Sequence, residues 1–160
     1  MAVYQAKEQG VENFSLMVSH VLVPPAMRAI LGSPTNRVQG FLAAGHVCTI
    51  MGTDDYLPLA EEFQVPIVPT GFEPVDILEG ILKTVELLES GQPGVSNQYL
   101  RAVREQGNPA ARAVIDEVYT VCDRKWRGIG SIAGSGWRIR DELAAFDAEK
   151  KVAVGQISTD

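Results

Sequence analysis

Short apolar runs alternate along this chain with longer segments in which apolar residues recur every three or four positions. The short runs predict buried strands, and glycine, proline and polar residues bound them. These strands are expected at residues 14–18, 38–44, 65–68 and 128–133. The longer segments predict helices over about 23–31, 54–63, 75–90 and 108–122. Residues 95–106 are interpreted as a short strand followed by a helix. The alternation predicts a three-layer α/β fold, with a mostly parallel sheet and helices on both faces.

The helix over residues 75–90 has the clearest pattern. Its apolar positions form one stripe at helical spacing, made of Ile77, Leu78, Ile81, Leu82, Val85 and Leu88. Glu79 and Lys83 are four residues apart, and we expect them to pair on the outer face of the helix.

The length of 160 residues favours a single domain with a real core. We interpret residues 14–146 as one α/β lobe. Residues 1–13 read as the end of a preceding element, and residues 147–160 as a tail that leads to a missing C-terminal part. Both ends of the chain therefore look cut.

Composition excludes several classes of function. The net charge of -6 argues against a nucleic-acid partner. The chain lacks an apolar run of the roughly 18–20 residues that a membrane span requires, and its first residues do not resemble a secretory signal. The only two cysteines, Cys48 and Cys122, follow no metal-site spacing, so we expect a cytoplasmic protein with free thiols. Cys122 is interpreted as a core residue of the helix over 108–122.

The turns that follow the predicted strands are where a site is expected. Right-handed crossovers would bring these turns to one edge of the sheet, and ligands of open α/β sheets usually bind there. The turns comprise residues 20–22, 45–52, 70–76 and 134–136.

Cys48 and His46 are the first candidates for chemistry in these turns. If residue 47 is extended, the imidazole could lie beside the thiol and lower its pKa, which would give a nucleophile or a metal ligand. One alternative function is therefore a small-molecule, thiol-dependent hydrolase that uses Cys48 and His46. The opposing interpretation is that Cys48 is a small buried side chain and His46 a structural hydrogen-bonding group.

Three further residues are candidates for binding. Glu73 and Asp76 flank a proline, where either carboxylate could cap the next helix or bind a ligand, a metal or a partner. His20 ends the first predicted strand, where it could bind a ligand or only complete the strand. No catalytic residue is assigned, because the chain has no nucleophile elbow, phosphate-binding loop or dinucleotide fingerprint.

Several ordered motifs resemble the HypD family of hydrogenase maturation factors. The motifs are residues 19–25 (SHVLVPP), 45–52 (GHVCTIMG), 71–76 (GFEPVD), 97–99 (NQY), 107–109 (GNP) and 126–130 (WRGIG). The resemblance covers nearly all of residues 1–150.

The resemblance implies a cytoplasmic scaffold that helps to assemble the iron centre of nickel–iron hydrogenases, with its cyanide and carbon monoxide ligands. It implies HypC and HypE proteins as partners, and a 4Fe-4S cluster in the full-length family. A maturation scaffold is expected rather than a turnover enzyme, and the fragment is expected to be inactive by itself. A third possibility is a pure partner-binding module.

The chain departs from the family in its cysteines. It lacks the earlier Cys-Gly-x-His-like and Cys-Pro-x-Cys-like motifs and the C-terminal cysteines that hold the cluster, so no metal ligand or cofactor is expected within this fragment. The chain thus resembles the central α/β lobe of HypD. Because the family often has serine at the position of Cys48, His46, Thr49 and the Glu73 turn are stronger binding candidates than the thiol.

Overall fold

The computed structural model describes residues 1–152. Their helices are α1 (Ala2–Glu8), α2 (Val23–Leu31), α3 (Gly45–Met51), α4 (Leu57–Phe63), α5 (Pro74–Glu89), α6 (Pro109–Val118) and α7 (Ala148–Lys151). Their strands are β1 (Phe41–Ala44), β2 (Pro66–Thr70), β3 (Gly94–Val95), β4 (Tyr119–Trp126) and β5 (Gly130–Ile139). Short 3-10 helices cover Asp54–Tyr56 and Asp141–Phe146.

Residue contacts divide the chain into two compact units. The central unit is the continuous segment Val23–Arg112. The terminal unit combines Met1–Leu22 with Ala113–Asp160, of which residues 153–160 lie outside the described part. The lobe predicted over residues 14–146 therefore spans parts of both units, and most of the predicted 147–160 tail lies outside the described residues.

The central unit contains a parallel sheet in the order β1-β2-β3. Phe41 pairs with Ile67 and Ala44 with Thr70, while the short β3 pairs with the first residues of β2. Every residue of β2 is buried, as expected for the middle strand of a covered parallel sheet.

Helices cover both faces of this sheet. On one face, residues of α2, α3 and α4 pack with Ala43 and Ile67 in a core that contains Met27, Leu31, Cys48, Tyr56, Leu59 and Ala60. On the other face lies α5, whose Gly80 approaches Thr70 and the side chain of Leu42. The predicted α/β class, with a parallel sheet and helices around it, is confirmed.

Helix α5 does not bury the face that its sequence pattern indicates. It contacts the sheet through small residues, because Gly80 lies against Thr70 and Thr84 lies close to Gly40. The whole predicted apolar stripe is exposed, from 37% at Ile77 to 66% at Leu78. The expected pair of Glu79 and Lys83 is also wrong, since the Lys83 ammonium lies 3.6 Å from the Glu86 carboxylate.

The terminal unit is built on an antiparallel hairpin of β4 and β5. Its core joins α1, the end of α6, the hairpin and the following 3-10 helix through Val3, Val18, Val118, Ile139 and Leu143. Residues 14–22 run beside this hairpin as irregular chain, with isolated bridges from Leu16 to Asp147 and from Val21 to Gly136.

Several predicted elements are wrong in the terminal unit and at the end of the central unit. Residues 14–18 form only a single bridge, and residues 128–133 belong to the hairpin turn and β5 rather than to a parallel sheet. The helix predicted through Cys122 ends at Val118, because the aromatic and β-branched residues that follow favour a strand. Cys122 is therefore a half-buried strand residue that pairs with Gly136. Turns replace the helix expected before residue 106.

Candidate functional site

Two of the four predicted turns meet at the carboxyl edge of the central sheet. Helix α3 begins directly after β1, and a Cβ atom on Gly45 would clash with the Thr70 carbonyl oxygen. Only glycine lets the two chain segments approach so closely. The approach places the His46 ring against the Phe72 ring, with 5.1 Å between the centroids.

At this edge, Arg101 binds both carboxylates of the turn at residues 70–76. Its guanidinium donates to Asp76 Oδ1 and to Glu73 Oε2, each at 2.6 Å, and also to Asp76 Oδ2. The guanidinium carbon lies 4.5 Å from the Tyr99 ring centroid, a cation–π distance. We call His46, Phe72, Glu73, Asp76 and Arg101 the sheet-edge cluster.

Burial divides the sheet-edge cluster into two layers. The Asp76 side chain is only 5% exposed, whereas that of Glu73 is 74% exposed and that of Arg101 is half exposed. Phe72 is 63% exposed and His46 is also exposed. Asp76 is therefore the buried anchor, and the histidine, the phenyl ring and Glu73 face solvent.

The carboxylates of this turn bind Arg101. Glu73 is the N-cap residue of α5, but its carboxylate accepts from Arg101 instead of capping the helix. Hydrogen bonds from Arg101 hold the pKa of Asp76 below its ordinary value. This carboxylate therefore stays ionised and keeps the guanidinium in place at neutral pH.

A second set of hydrogen bonds stabilises the turn that follows β2. The Thr70 hydroxyl lies 2.7 Å from the Asp76 carbonyl oxygen and 3.0 Å from the Gln98 amide oxygen. The Gln98 amide nitrogen donates to Glu79 at 2.6 Å, and Asn97 accepts from the Tyr99 backbone N–H. These bonds tie the segment after β3 to the turn after β2, which fixes the position of Arg101.

The structure separates Cys48 from His46. Because residues 45–51 are helical, positions 46 and 48 point to different faces. Cys48 is fully buried beside Tyr56, and burial raises the pKa of its thiol. A buried thiol with a raised pKa is a poor nucleophile, so the geometry opposes the thiol-dependent hydrolase and agrees with a small core residue.

The remaining candidates occupy different places. Thr49 is half-buried on α3, and its hydroxyl donates to the His46 carbonyl oxygen at 2.6 Å. His20 belongs to the terminal unit, where its exposed ring lies 6.0 Å from Tyr119 in an edge geometry. The predicted 134–136 turn is likewise in the terminal unit, within β5. The binding roles of all these residues stay predictions.

The sequence pattern did not indicate Arg101, Phe72 or Tyr99. Phe72 lies within the motif at residues 71–76 and Tyr99 within that at residues 97–99, but nothing in the pattern distinguished them. Arg101 had one available signal, since a nearby cation stabilises two neighbouring carboxylates in a turn. Its separation of 25 residues from Asp76 hid the pairing.

A resident 4Fe-4S cluster does not fit this chain. Such a cluster needs about four cysteine thiolates, whereas the chain has two cysteines and Cys48 is buried in the core. Within residues 1–152, no three His, Cys, Asp or Glu side chains are arranged to hold a metal ion. No helix in this part of the chain is long and apolar enough to cross a membrane.

The fold and the sheet-edge cluster define an α/β lobe with a polar surface at the carboxyl ends of its parallel strands. The model of the HypD family, described as "Hydrogenase formation hypA family", matches residues 1–160. The chain belongs to the HypD family, and the resemblance seen in its motifs is confirmed.

Curated relatives agree with this assignment. The "Hydrogenase maturation factor HypD" of Rhodobacter capsulatus is 40% identical over 159 residues, which are 97% of this chain and 41% of the relative. The protein of the same name in Azotobacter vinelandii is 39% identical over 160 residues, covering 96% and 42%. That of Escherichia coli K12 is 40% identical over 146 residues, covering 91% and 39%. The chain thus spans about two fifths of the length of these relatives.

Proposed function

We propose that this chain supplies the α/β lobe of a hydrogenase maturation scaffold, and that its sheet-edge cluster forms one wall of the site where the iron centre is assembled. The substrate would be iron with cyanide and carbon monoxide ligands. The observation that carries the proposal is the meeting of two family motifs, residues 45–52 and 71–76, at one sheet edge.

His46 is the residue best suited to contact this substrate. Its exposed imidazole could donate a hydrogen bond to a cyanide nitrogen, and Phe72 restricts the orientation of the ring. Arg101 has a positioning role, because its guanidinium is bound by Asp76 and Glu73. Glu73 is exposed beside it and could contact a partner.

The partners proposed are HypC and HypE proteins in the cytoplasm, and the resident 4Fe-4S cluster would belong to parts of the longer family members that this chain does not span. The charge of the chain, -6, favours partners that present basic surfaces.

A hybrid protein tests the role of His46. The residues of the Rhodobacter capsulatus relative that match this chain would be replaced by this chain, and hydrogenase activity would be measured in cells that lack their own HypD. We expect His46→Ala to lower activity about tenfold or more, as removal of an orienting hydrogen-bond group near a metal commonly does.

The matched control is Glu61→Ala, which alters an exposed residue on α4 away from the sheet edge. It should leave maturation unchanged. If His46→Ala supports full maturation at equal protein abundance, the proposed role of the sheet-edge cluster in maturation is wrong. Binding of HypC that persists in His46→Ala while maturation fails would assign His46 to assembly rather than to docking.

A further inference from the structure

The outer face of α5 is an exposed apolar surface that neither core explains. We call this the α5 outer face, and it comprises Val75, Ile77, Leu78, Ile81, Leu82, Val85 and Leu88, which are 37–66% exposed. Soluble helices normally turn such a stripe toward the core. Here the sheet-facing side carries Asp76, Gly80 and Thr84, and the apolar stripe faces outward. A contiguous exposed patch of this kind marks an interaction surface.

The charges beside this face indicate what it binds. Glu79, Glu86 and Glu89 are exposed on α5, and the helix has a single cation, Lys83, which is already paired with Glu86. A groove of about 250 Å³ runs along this side of the helix. Its charged lining residues are Glu79, Lys83 and Glu86, so its two carboxylates outnumber its one ammonium. Lysine or arginine side chains fit such a groove, whereas a second copy of α5 would bring glutamates together. These charges favour an amphipathic segment with a basic edge as the occupant.

The source of that segment follows from the composition of the face and from the length of the relatives. Obligate contacts are on average more hydrophobic than transient ones, whose surfaces are about as apolar as the rest of a protein. The relatives carry more than half of their length outside the region that matches this chain. A permanent apolar contact within one longer polypeptide accounts for both facts.

We propose that the α5 outer face is the docking surface for an amphipathic, basic-edged segment from the part of a HypD polypeptide that this chain does not span. The proposal rests on the exposed stripe, on the acidic groove and on family membership. It is independent of the role of His46, so maturation could fail in His46→Ala while α5 still docks.

Hydrogen exchange in the hybrid protein described above tests the docking. Amide exchange of residues 74–89 is measured in the isolated chain and in the hybrid. Docking should slow exchange in the hybrid at least tenfold, and Leu78→Lys combined with Leu82→Lys should abolish this slowing. Leu100→Lys is the matched control, since Leu100 is 77% exposed and lies outside α5; it should leave the slowing intact.

A charge variant tests the basic edge. Glu86→Lys should weaken the protection of α5 in the hybrid, while Glu61→Lys on α4 should not. If the hybrid does not fold, the same exchange comparison is made between the intact Rhodobacter capsulatus relative and its own matching 159 residues. Equal exchange in the long and short proteins would overturn the proposal. So would concentration-dependent protection of the isolated chain, which would assign the face to a second copy.

Discussion

At the scale of single residues, the Asp76–Arg101 pair gives a prediction about pH. The folded pKa of Asp76 lies below its ordinary 3.8 because Arg101 donates to it. A carboxylate with a lowered folded pKa contributes stability that is present above the unfolded pKa and is lost as pH falls through the folded pKa. We expect Asp76→Asn to reduce the loss of stability below about pH 4, measured by urea unfolding between pH 6 and pH 2.

Asp141 is the matched control for this prediction. Its pKa is also lowered, by Lys150 and Arg138, but its side chain is 69% exposed and water weakens its ion pairs. Asp141→Asn should change the loss of unfolding free energy at acid pH less than Asp76→Asn does. If Asp76→Asn leaves the loss of unfolding free energy at acid pH unchanged, the pair with Arg101 does not stabilise the turn.

Cys48 gives a second prediction at this scale. Because its thiol is buried and its pKa is raised, an alkylating reagent should modify it at least tenfold more slowly than it modifies the half-buried Cys122 in the folded chain. Both thiols should react at similar rates in denaturant. Mass spectrometry of the alkylated peptides measures the two rates, and rapid modification of Cys48 at neutral pH would restore the hydrolase hypothesis.

The same residues show which parts of the site the sequence predicts. The turns at 45–52 and 71–76 could be predicted, because glycines, a histidine and acidic residues follow apolar runs there. The sequence could not decide whether residue 47 is extended or helical, and that choice determines whether His46 faces Cys48. It also missed Arg101, since a pairing across 25 residues leaves no local pattern.

At the scale of elements, two leucines with the same chemistry should respond differently to truncation. Leu59 on α4 is 2% exposed in the central core, whereas Leu78 on α5 is 66% exposed. Leu59→Ala should cost about 2–5 kcal/mol of unfolding free energy, from lost burial and a cavity. Leu78→Ala in the isolated chain should cost no more than about 0.5 kcal/mol. Urea unfolding measures both, and a large loss for Leu78→Ala would show that the α5 outer face is already covered.

Helix α5 also shows why the periodicity of a pattern predicts an element better than it predicts the burial of that element. The three-to-four spacing predicted a helix over 75–90, and the helix spans Pro74–Glu89. The same spacing pointed the stripe inward, yet Gly80 and Thr84 allow a closer approach to the sheet. In the terminal unit, apolar residues at 128–133 were read as parallel-sheet core, although they belong to an antiparallel hairpin.

At the scale of the whole molecule, the sequence predicted one lobe where the contacts form two units. The α/β class followed from alternating strands and helices, and it holds for the central unit. The terminal unit draws its core from both ends of the described chain, for example Val3 and Val18 with Val118 and Ile139. Local periodicity does not predict such a long-range association, because the spacing of apolar residues within one segment does not indicate which distant segment it contacts.

The arrangement of the two units predicts which part of the chain folds alone. The central unit is continuous from Val23 to Arg112 and contains its own sheet and core, so we expect residues 23–112 to form a cooperative, folded protein. The terminal unit needs two distant segments, so residues 113–152 alone should lack stable tertiary structure. Circular dichroism and urea unfolding of both pieces test this, with Leu59→Ala in the 23–112 piece as a control that should lower its midpoint. A 23–112 piece that unfolds without cooperativity would show that the central core depends on the rest of the chain.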